Sequence, residues 1–356
     1  MSEPRLNRKD FLRLGLLPAA GPLLSGLWAC GRRAPRRAVG FLNWSAYIAR
    51  ETLPGFSQET GVAVDYEVFT TEEEMMAKLR SGGASFDLIV TSDSTLPRLR
   101  AGGIIADIPT AGIKNLLNID PKFLRTPFDP DQKFSVPYLW GTTGIGFNKK
   151  LVSKPPTSWW DLWDERYKGR ICMLDSPGAC ISAALLLKGH PETTSDARQV
   201  QEAKELLLKQ KPLVRQYTSA AYVDMLASGE AALGMAFSGD VLQAVQSHPQ
   251  LDYALPKEGG YVWLDCLCLL SAAPHPQEAA RLIDYLLRPQ VAAGIANAVR
   301  YATPNAAARR WLDSALLEDK RIYPSPAAAR LLHYHSPLDA EAYVLWNQTW
   351  AEVKAT

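Results

Sequence analysis

The sequence predicts an α/β protein of two lobes. Three observations carry this: a length of 356 residues, short apolar runs alternating with amphipathic helical stretches, and two extended segments that join one α/β group to the next. A chain this long exceeds one compact core and suits two lobes of ordinary size. Hydrophobic residues make up 47% and charged residues 21%, so most of the chain should fold as a globule with a sizeable core.

The first 37 residues read as an address rather than as fold. A basic stretch, RLNRKDFLR (5–13), precedes the apolar run LGLLPAAGPLLSGLWA (14–29). That run is short for a membrane span and is broken by Pro18, Gly21 and Pro22, which suits a signal peptide over residues 1–30. Leu27-Trp28-Ala29-Cys30 resembles a lipoprotein box, with Cys30 the residue to be acylated. Arg8-Lys9-Asp10-Phe11-Leu12 resembles a relaxed twin-arginine signal, and export by the general secretory route stays open. Residues 31–37, GRRAPRR, form a polar, proline-bearing tether. The domain is therefore expected outside the cytoplasmic membrane, periplasmic or extracytoplasmic, held by a lipid anchor.

Strand and helix signals then alternate. AVGFLNW (38–44), VAVDYEVF (62–69) and FDLIVTS (86–92) read as strands. Thr71-Glu72-Glu73-Glu74 reads as a capping box opening a helix through Leu79, and a further helix runs through Arg100. An Asn-, Asp- and Pro-rich irregular stretch covers 107–133. SVPYLWGTTGIGFN (135–148) is an extended segment, and Ser158 caps the tryptophan-rich helix SWWDLW. RICMLD (170–175) and AALGMAF (231–237) are strands; helices follow from about Cys180, over about 195–209 and at Gly239. YVWLDCLCLLS (261–271) is a strand, Pro276 opens a helix that stops at Pro289, and the last 45 residues look helical.

Composition excludes several classes of function. A formal net charge of +2 without a lysine or arginine block argues against a nucleic-acid surface. No GxSxG, HExxH, P-loop or GxGxxG stands in context, so no enzyme is expected. Cys172, Cys180, Cys266 and Cys268 form no CxxC, and none of the five histidines, including His333 and His335, has zinc-type spacing to them; no metal or cofactor is expected. The four cysteines are either disulfide partners or small buried residues. Cys266 and Cys268 share a strand face, which favours a neighbouring strand over each other as partner.

Trp263 and Asp265 are the most pointed pair. Two apart on a strand, they project from one face, and an aspartate in so apolar a strand calls either for a cation or for backbone donors.

Several blocks in order resemble one family. FLNWSAY (41–47), FDLIV (86–90), PYLWGTTGIGFN (137–148), SWWDLW (158–163), KEGGYVWLD (257–265) and RYATPNAAAR (300–309) are similar to the periplasmic spermidine/putrescine-binding proteins of polyamine ABC importers, from about Val39 to Lys354. The resemblance implies a two-lobe periplasmic-binding-protein fold of type II, with the ligand in a cleft between lobes joined by crossing strands. Lobe one would hold 38–141 plus 266–310, and lobe two 142–265 plus 311–356. It implies a monomer that binds a polyamine, putrescine- or spermidine-like, and delivers it to the permease subunits of the transporter.

By the same resemblance, Trp44, Phe237 and Trp263 would be aromatic walls, Ser45, Tyr47 and Tyr301 would supply oxygens and a ring, and Ser92 would be a serine contact. Asp265 would pair an ammonium. Asp240 matches an aspartate of putrescine-type members, and it is alternatively the N-cap of the next helix. Such roles suit the ligand chemistry: a buried ammonium needs a carboxylate, and its methylenes need flat apolar walls.

The chain departs from the family at one end of the ligand. Where spermidine-type members carry an aspartate and a glutamate, it has Ser176 and Ala179; Ser94 replaces a tyrosine, and a glutamine contact corresponds to Ser336. Asp175 or Asp93 are the candidates to compensate. A diamine between Asp265 and Asp240 then fits better than a triamine. The alternative is another cationic or zwitterionic organic ligand, amino-acid or opine-like.

Overall fold

The computed structural model describes residues 38–82, 85–334 and 338–355. The expected signal peptide with Cys30, the tether 31–37, and Gly83, His335 and Ser336 lie outside the described residues.

One mixed sheet runs through the molecule. Its first half is built from β1 (Ala38–Trp44), β2 (Ala63–Phe69) and β3 (Leu88–Ser92), with β1 parallel to both neighbours. β1 is buried at every interior position, which matches its almost unbroken apolar run and a parallel strand covered on both faces. α1 (Thr52–Thr60) and α2 (Glu72–Gly82) connect these strands, and α3 (Leu96–Ala101) follows β3.

The second half is built from β5 (Ile171–Met173), β6 (Val214–Tyr217) and β7 (Leu233–Phe237), again parallel in sequence β7-β5-β6. α4 (Pro177–Leu187), α5 (Ala197–Gln210), α6 (Tyr222–Ser228) and α7 (Ser238–Ala244) flank it. α4 is buried almost throughout because the C-terminal helix, α12 (Ala340–Ala355), packs across both α4 and α5.

Two long strands carry the sheet from one half to the other. β4 (Val136–Asn148) and β9 (Gly260–Leu269) pair antiparallel from Val136 opposite Leu267 to Thr143 opposite Tyr261. β9 continues onto β3, and β4 continues onto β7, so the strand order is β2-β1-β3-β9-β4-β7-β5-β6. The short edge strands β8 (Leu251–Ala254) and β10 (Leu332–Tyr334) add to β4 and β9. α8 (Pro276–Leu286) and α9 (Pro289–Val299) return the chain to the first half, with α8 packed on β9 and β1. The sequence thus foresaw the α/β architecture and both crossings.

Several local expectations need correction. The helix opened by Pro276 does stop before Pro289, at Leu286, but a second helix not foreseen, α9, begins at Pro289, where the missing N–H costs nothing. The last 45 residues are only partly helical: α10 (Ser314–Leu317) and α11 (Pro326–Ala329) are single turns, and α12 is the one long helix among the described residues there. The capping box at Thr71 is half formed. The Thr71 hydroxyl accepts from Glu74 N at 3.1 Å, but the Glu74 carboxylate turns to Thr70 N at 2.8 Å. At Ser158 the full box is present, over a short 3₁₀ helix, Trp159–Trp163. Cys172, Cys180, Cys266 and Cys268 are all free and buried. Among the described residues no helix is long and apolar enough to cross a membrane.

Candidate functional site

The candidate site grows from β9. Because successive side chains alternate, Trp263 and Asp265 emerge on one face, Trp263 opposite Gly141 of β4 and Asp265 opposite Ser92 of β3. Asp265 is buried, and its Oδ2 accepts the Tyr47 hydroxyl at 2.5 Å. Burial pushes its carboxyl up to about 7; the Tyr47 hydrogen bond pulls the other way, and the charges of Glu72 and Asp240 add to the rise.

Tyr47 is aimed by the turn after β1. Ser45 N bonds Phe69 O at 2.9 Å, and Ala46 takes a left-handed φ of 54°, which turns the chain so that Tyr47 is buried. A break in the β4 register between Pro137 and Leu139 leaves Tyr138 without a paired partner on β9. The freed Tyr138 hydroxyl donates to Tyr47 O at 2.9 Å, and the two rings meet edge-on at 6.0 Å.

A row of rings leads away from this acid. Tyr47 meets Tyr301 at 5.2 Å, Tyr301 meets Trp263 at 5.2 Å, and Trp263 meets Phe237 at 6.0 Å, all edge to face. Phe237 meets Tyr222 at 6.3 Å. The row ends at a second carboxylate. Asp240, in the first turn of α7, accepts the Tyr222 hydroxyl on Oδ2 at 2.6 Å and the Tyr301 hydroxyl on Oδ1. Burial raises the Asp240 carboxyl, while these two hydroxyls lower it. The N-cap alternative for Asp240 is thereby overturned: the helix begins at Ser238, Phe237 holds the cap position, and the Asp240 side chain is taken by two tyrosines.

The structure therefore brings together Tyr47, Asp265, Trp263, Tyr301, Phe237 and Asp240. Three other expected residues stand differently. Trp44 lays its ring on Phe69 at 4.3 Å. Ser45 is exposed at the turn. Ser92 donates to Glu72 Oε1 at 2.8 Å and shares a contact of 2.9 Å with Ser94. The indole N–H groups of Trp263 and Trp44 are enclosed without an acceptor among the described residues.

At the departures from the family, Ser176 caps α4 by accepting Ala179 N at 3.3 Å. Asp175 is held by the C-terminal helix, taking Trp350 Nε1 at 2.9 Å and Lys354 Nζ at 2.8 Å. It does not join the ring row. Tyr222 and Tyr138 were not foreseen as site residues. The only sequence signal for Tyr138 was its place in the PYLWGTT block; Tyr222 sits 18 positions before Asp240, and nothing in the sequence couples them.

Chemically, the arrangement offers two carboxylates beside an aromatic cluster, Asp265 held by Tyr47 and Asp240 by Tyr222 and Tyr301. Neither carboxylate has a cation among the groups that shift it. Among the described residues, their side-chain donors are neutral tyrosine hydroxyls. That pattern suits a ligand with two cationic ends and an apolar middle.

Comparison with known proteins gives the same direction. Residues 84–322 match the model of a family described as bacterial extracellular solute-binding protein. The chain is 34% identical to the spermidine/putrescine-binding periplasmic protein of Escherichia coli (strain K12) over 341 residues, 95% of this chain and 97% of that protein. It is 32% identical over 342 residues to the putrescine-binding periplasmic protein PotF of the same organism, covering 90% of this chain and 92% of the relative. Among solved structures, the spermidine/putrescine transporter substrate-binding protein PotD of Streptococcus pneumoniae superposes with a TM-score of 0.81 at 29% identity, over 90% of this chain and 99% of that one.

Proposed function

The chain belongs to the bacterial extracellular solute-binding protein family, and on that premise we propose that it captures a polyamine between its lobes and delivers it to the permease of an ABC importer. The ligand proposed first is a diamine such as putrescine. One ammonium pairs with Asp265 and Tyr47, the other with Asp240, and the methylenes lie along Trp263, Tyr301 and Phe237. Trp44, Ser45 and Ser92 flank this row as the outer contacts. The observation that carries the reading is the pair of carboxylates beside the aromatic cluster, whose side-chain donors among the described residues are tyrosine hydroxyls. An ammonium reaching either carboxylate gains a charge-assisted bond that a neutral hydroxyl cannot match.

The lobes in this reading are 38–141 plus 266–310 and 142–265 plus 311–356, hinged at β4 and β9. A cation that touches both halves favours their closed arrangement. The protein acts as a lipid-anchored monomer through Cys30, outside the cytoplasmic membrane, and binds without turnover.

A second reading rests on a separate observation. The Trp263 indole N–H lacks an acceptor among the described residues, and Ser176 and Ala179 stand where the family pattern has two carboxylates. Both features suit a ligand with one cationic and one oxygen-bearing end, amino-acid or opine-like. Calorimetric titration with putrescine, spermidine, spermine and a panel of zwitterionic amino acids separates the two. Binding by putrescine that Asp265→Asn weakens by about 1–3 kcal/mol supports the diamine. Heat from the zwitterions alone, or an Asp265→Asn protein with undiminished affinity for putrescine, sinks it.

A further inference from the structure

Asp93 is a buried carboxylate that the diamine reading leaves unused. We infer that Asp93 is a positioning residue that holds a proton beside Asp265 in the ligand-free protein and releases it when an ammonium reaches Asp265, so that ligand capture is coupled to proton release. The inference rests on the polyamine reading of the same site.

The geometry begins at the end of β3. Asp93 is 3% exposed, and its backbone N donates to Leu264 O at 3.0 Å. Its Oδ2 accepts Leu264 N at 3.3 Å and its Oδ1 accepts Ser94 N at 2.9 Å. The Asp93 carboxylate is thus clipped to the β9 residue immediately before Asp265 and cannot swing out to solvent without breaking those bonds. Asp265 is 6% exposed and opposite Ser92, the residue immediately before Asp93.

The charged and titratable groups around the pair are known element by element. Asp265 and Cys266 lie on β9, Glu72 at the start of α2, and Asp240 on α7. Tyr47 follows β1, Tyr138 lies on β4, and Tyr301 follows α9; each has its hydroxyl raised far above the usual range, chiefly by burial. The nearby arginine, Arg98 of α3, is spent on Glu72, at 3.6 Å, with half of its side chain in solvent. The neighbourhood is therefore acidic or neutral. Two adjacent buried carboxylates without a cation cannot both ionise cheaply.

Electrostatics agree with the geometry. Burial, then the charge of Asp265, pushes the Asp93 carboxyl up to about 8, against the pull of the Leu264 and Ser94 amides. With Asp265 at about 7, the two lose their protons as a pair around neutrality. An alkylammonium, with an ordinary pKa near 10.4, arrives with its charge intact. The O–H bond of the protonated carboxyl breaks, its proton goes to bulk water, and the new carboxylate charge is compensated by the ammonium. Asp93 need not touch the ligand; it sets how negative Asp265 can be when the ligand arrives.

Calorimetry with putrescine and with spermidine, in two buffers of different ionisation heat, counts the protons. Release approaching one proton per ligand near neutrality is expected, with affinity rising up to about tenfold per pH unit from about pH 6 and levelling above about pH 8. Asp93→Asn should reduce the release to the part that Asp265 alone supplies and move the upper end of the profile from about pH 8 toward about pH 7, and Asp93→Thr is a second variant should the first misfold. A profile that levels at the same pH in these variants as in the wild type, or binding without proton release in the wild type, overturns the inference while leaving the polyamine reading intact. Carbon-13 carboxyl resonances of the wild-type protein alone give a ligand-independent check: an Asp93 and an Asp265 that both titrate in the ordinary carboxylate range would overturn it as well. If neither amine binds, it is the polyamine reading that falls, and the carboxyl titration still decides whether Asp93 holds a proton near neutrality.

Discussion

Gly141 and Trp263 face each other across the β4–β9 ladder so closely that a β-carbon on Gly141 would stand 2.3 Å from the indole ring. The ring lies over bare backbone, and this lets it sit between Tyr301 and Phe237. Gly141→Ala must displace a rigid ring that has neighbours on both sides. Overpacking of this kind costs about 1–3 kcal/mol. The expected outcome is a lowered melting temperature together with weakened putrescine binding by calorimetry. Wild-type affinity in a folded Gly141→Ala protein would remove Trp263 from the ligand's path.

Asp240 depends on two hydroxyls at once. Tyr301 reaches it because its ring passes over Gly239, where a β-carbon would come within 2.1 Å of the ring. Tyr222→Phe or Tyr301→Phe alone leaves the carboxylate one donor and should cost about 1 kcal/mol. The double substitution strips a buried carboxylate of both, so the loss should exceed the sum of the singles. Urea denaturation of the four proteins in a double-mutant cycle reads this coupling. Strict additivity would mean that water reaches Asp240 freely.

How much of this was legible beforehand follows from the range of each interaction. The edges of β1, β4, β7 and β9 were readable because apolar runs and flanking turn residues are local signals. α1 was not foreseen; its Pro54 and Gly55 lie in the first turn, where neither interrupts a helical hydrogen bond. α9 was missed because Pro289 can end one helix or begin another, and only the tertiary course decides. At the site, Trp263 and Asp265 were paired by strand periodicity alone. The meeting of Asp240 with Tyr222 and Tyr301, and of Asp93 with the backbone of Leu264, needs the fold, since the partners are up to 171 positions apart.

Asp175 was one candidate to replace the carboxylates missing at Ser176 and Ala179. Its bonds to Trp350 and Lys354 assign it to the docking of α12 instead. Asp175→Ala should therefore leave putrescine affinity unchanged and lower stability by only about 1 kcal/mol, because Lys354 is partly exposed and its ion pair is screened. Trp350→Ala, which removes a buried ring packed on Tyr217, should cost more, about 3–5 kcal/mol. Thermal denaturation and calorimetry on the same samples check both halves. A fall in affinity with Asp175→Ala would return Asp175 to the ligand site.

The same carboxylates give the protein an unusual dependence of stability on pH. Asp93 and Asp265 have folded-state values raised, by burial first, above the ordinary carboxylate range that they regain on unfolding. The folded form then binds more protons than the unfolded form between those two ranges, so stability must fall as pH rises from about 4 through about 8. Most carboxylates with lowered values, such as Glu59 beside Arg288 and Asp131 beside Lys133, are exposed and lose their small contribution only in acid, outside this window. The protein without ligand should consequently melt at a lower temperature at pH 8 than at pH 6. A diamine would compensate this buried negative charge, so its stabilising effect should be larger at pH 8 than at pH 6. Melting curves at the two pH values, with and without putrescine, read both differences. A ligand-free protein that gains stability toward pH 8 would mean that these carboxylates are already ionised in the folded state and are compensated by a group other than the ligand.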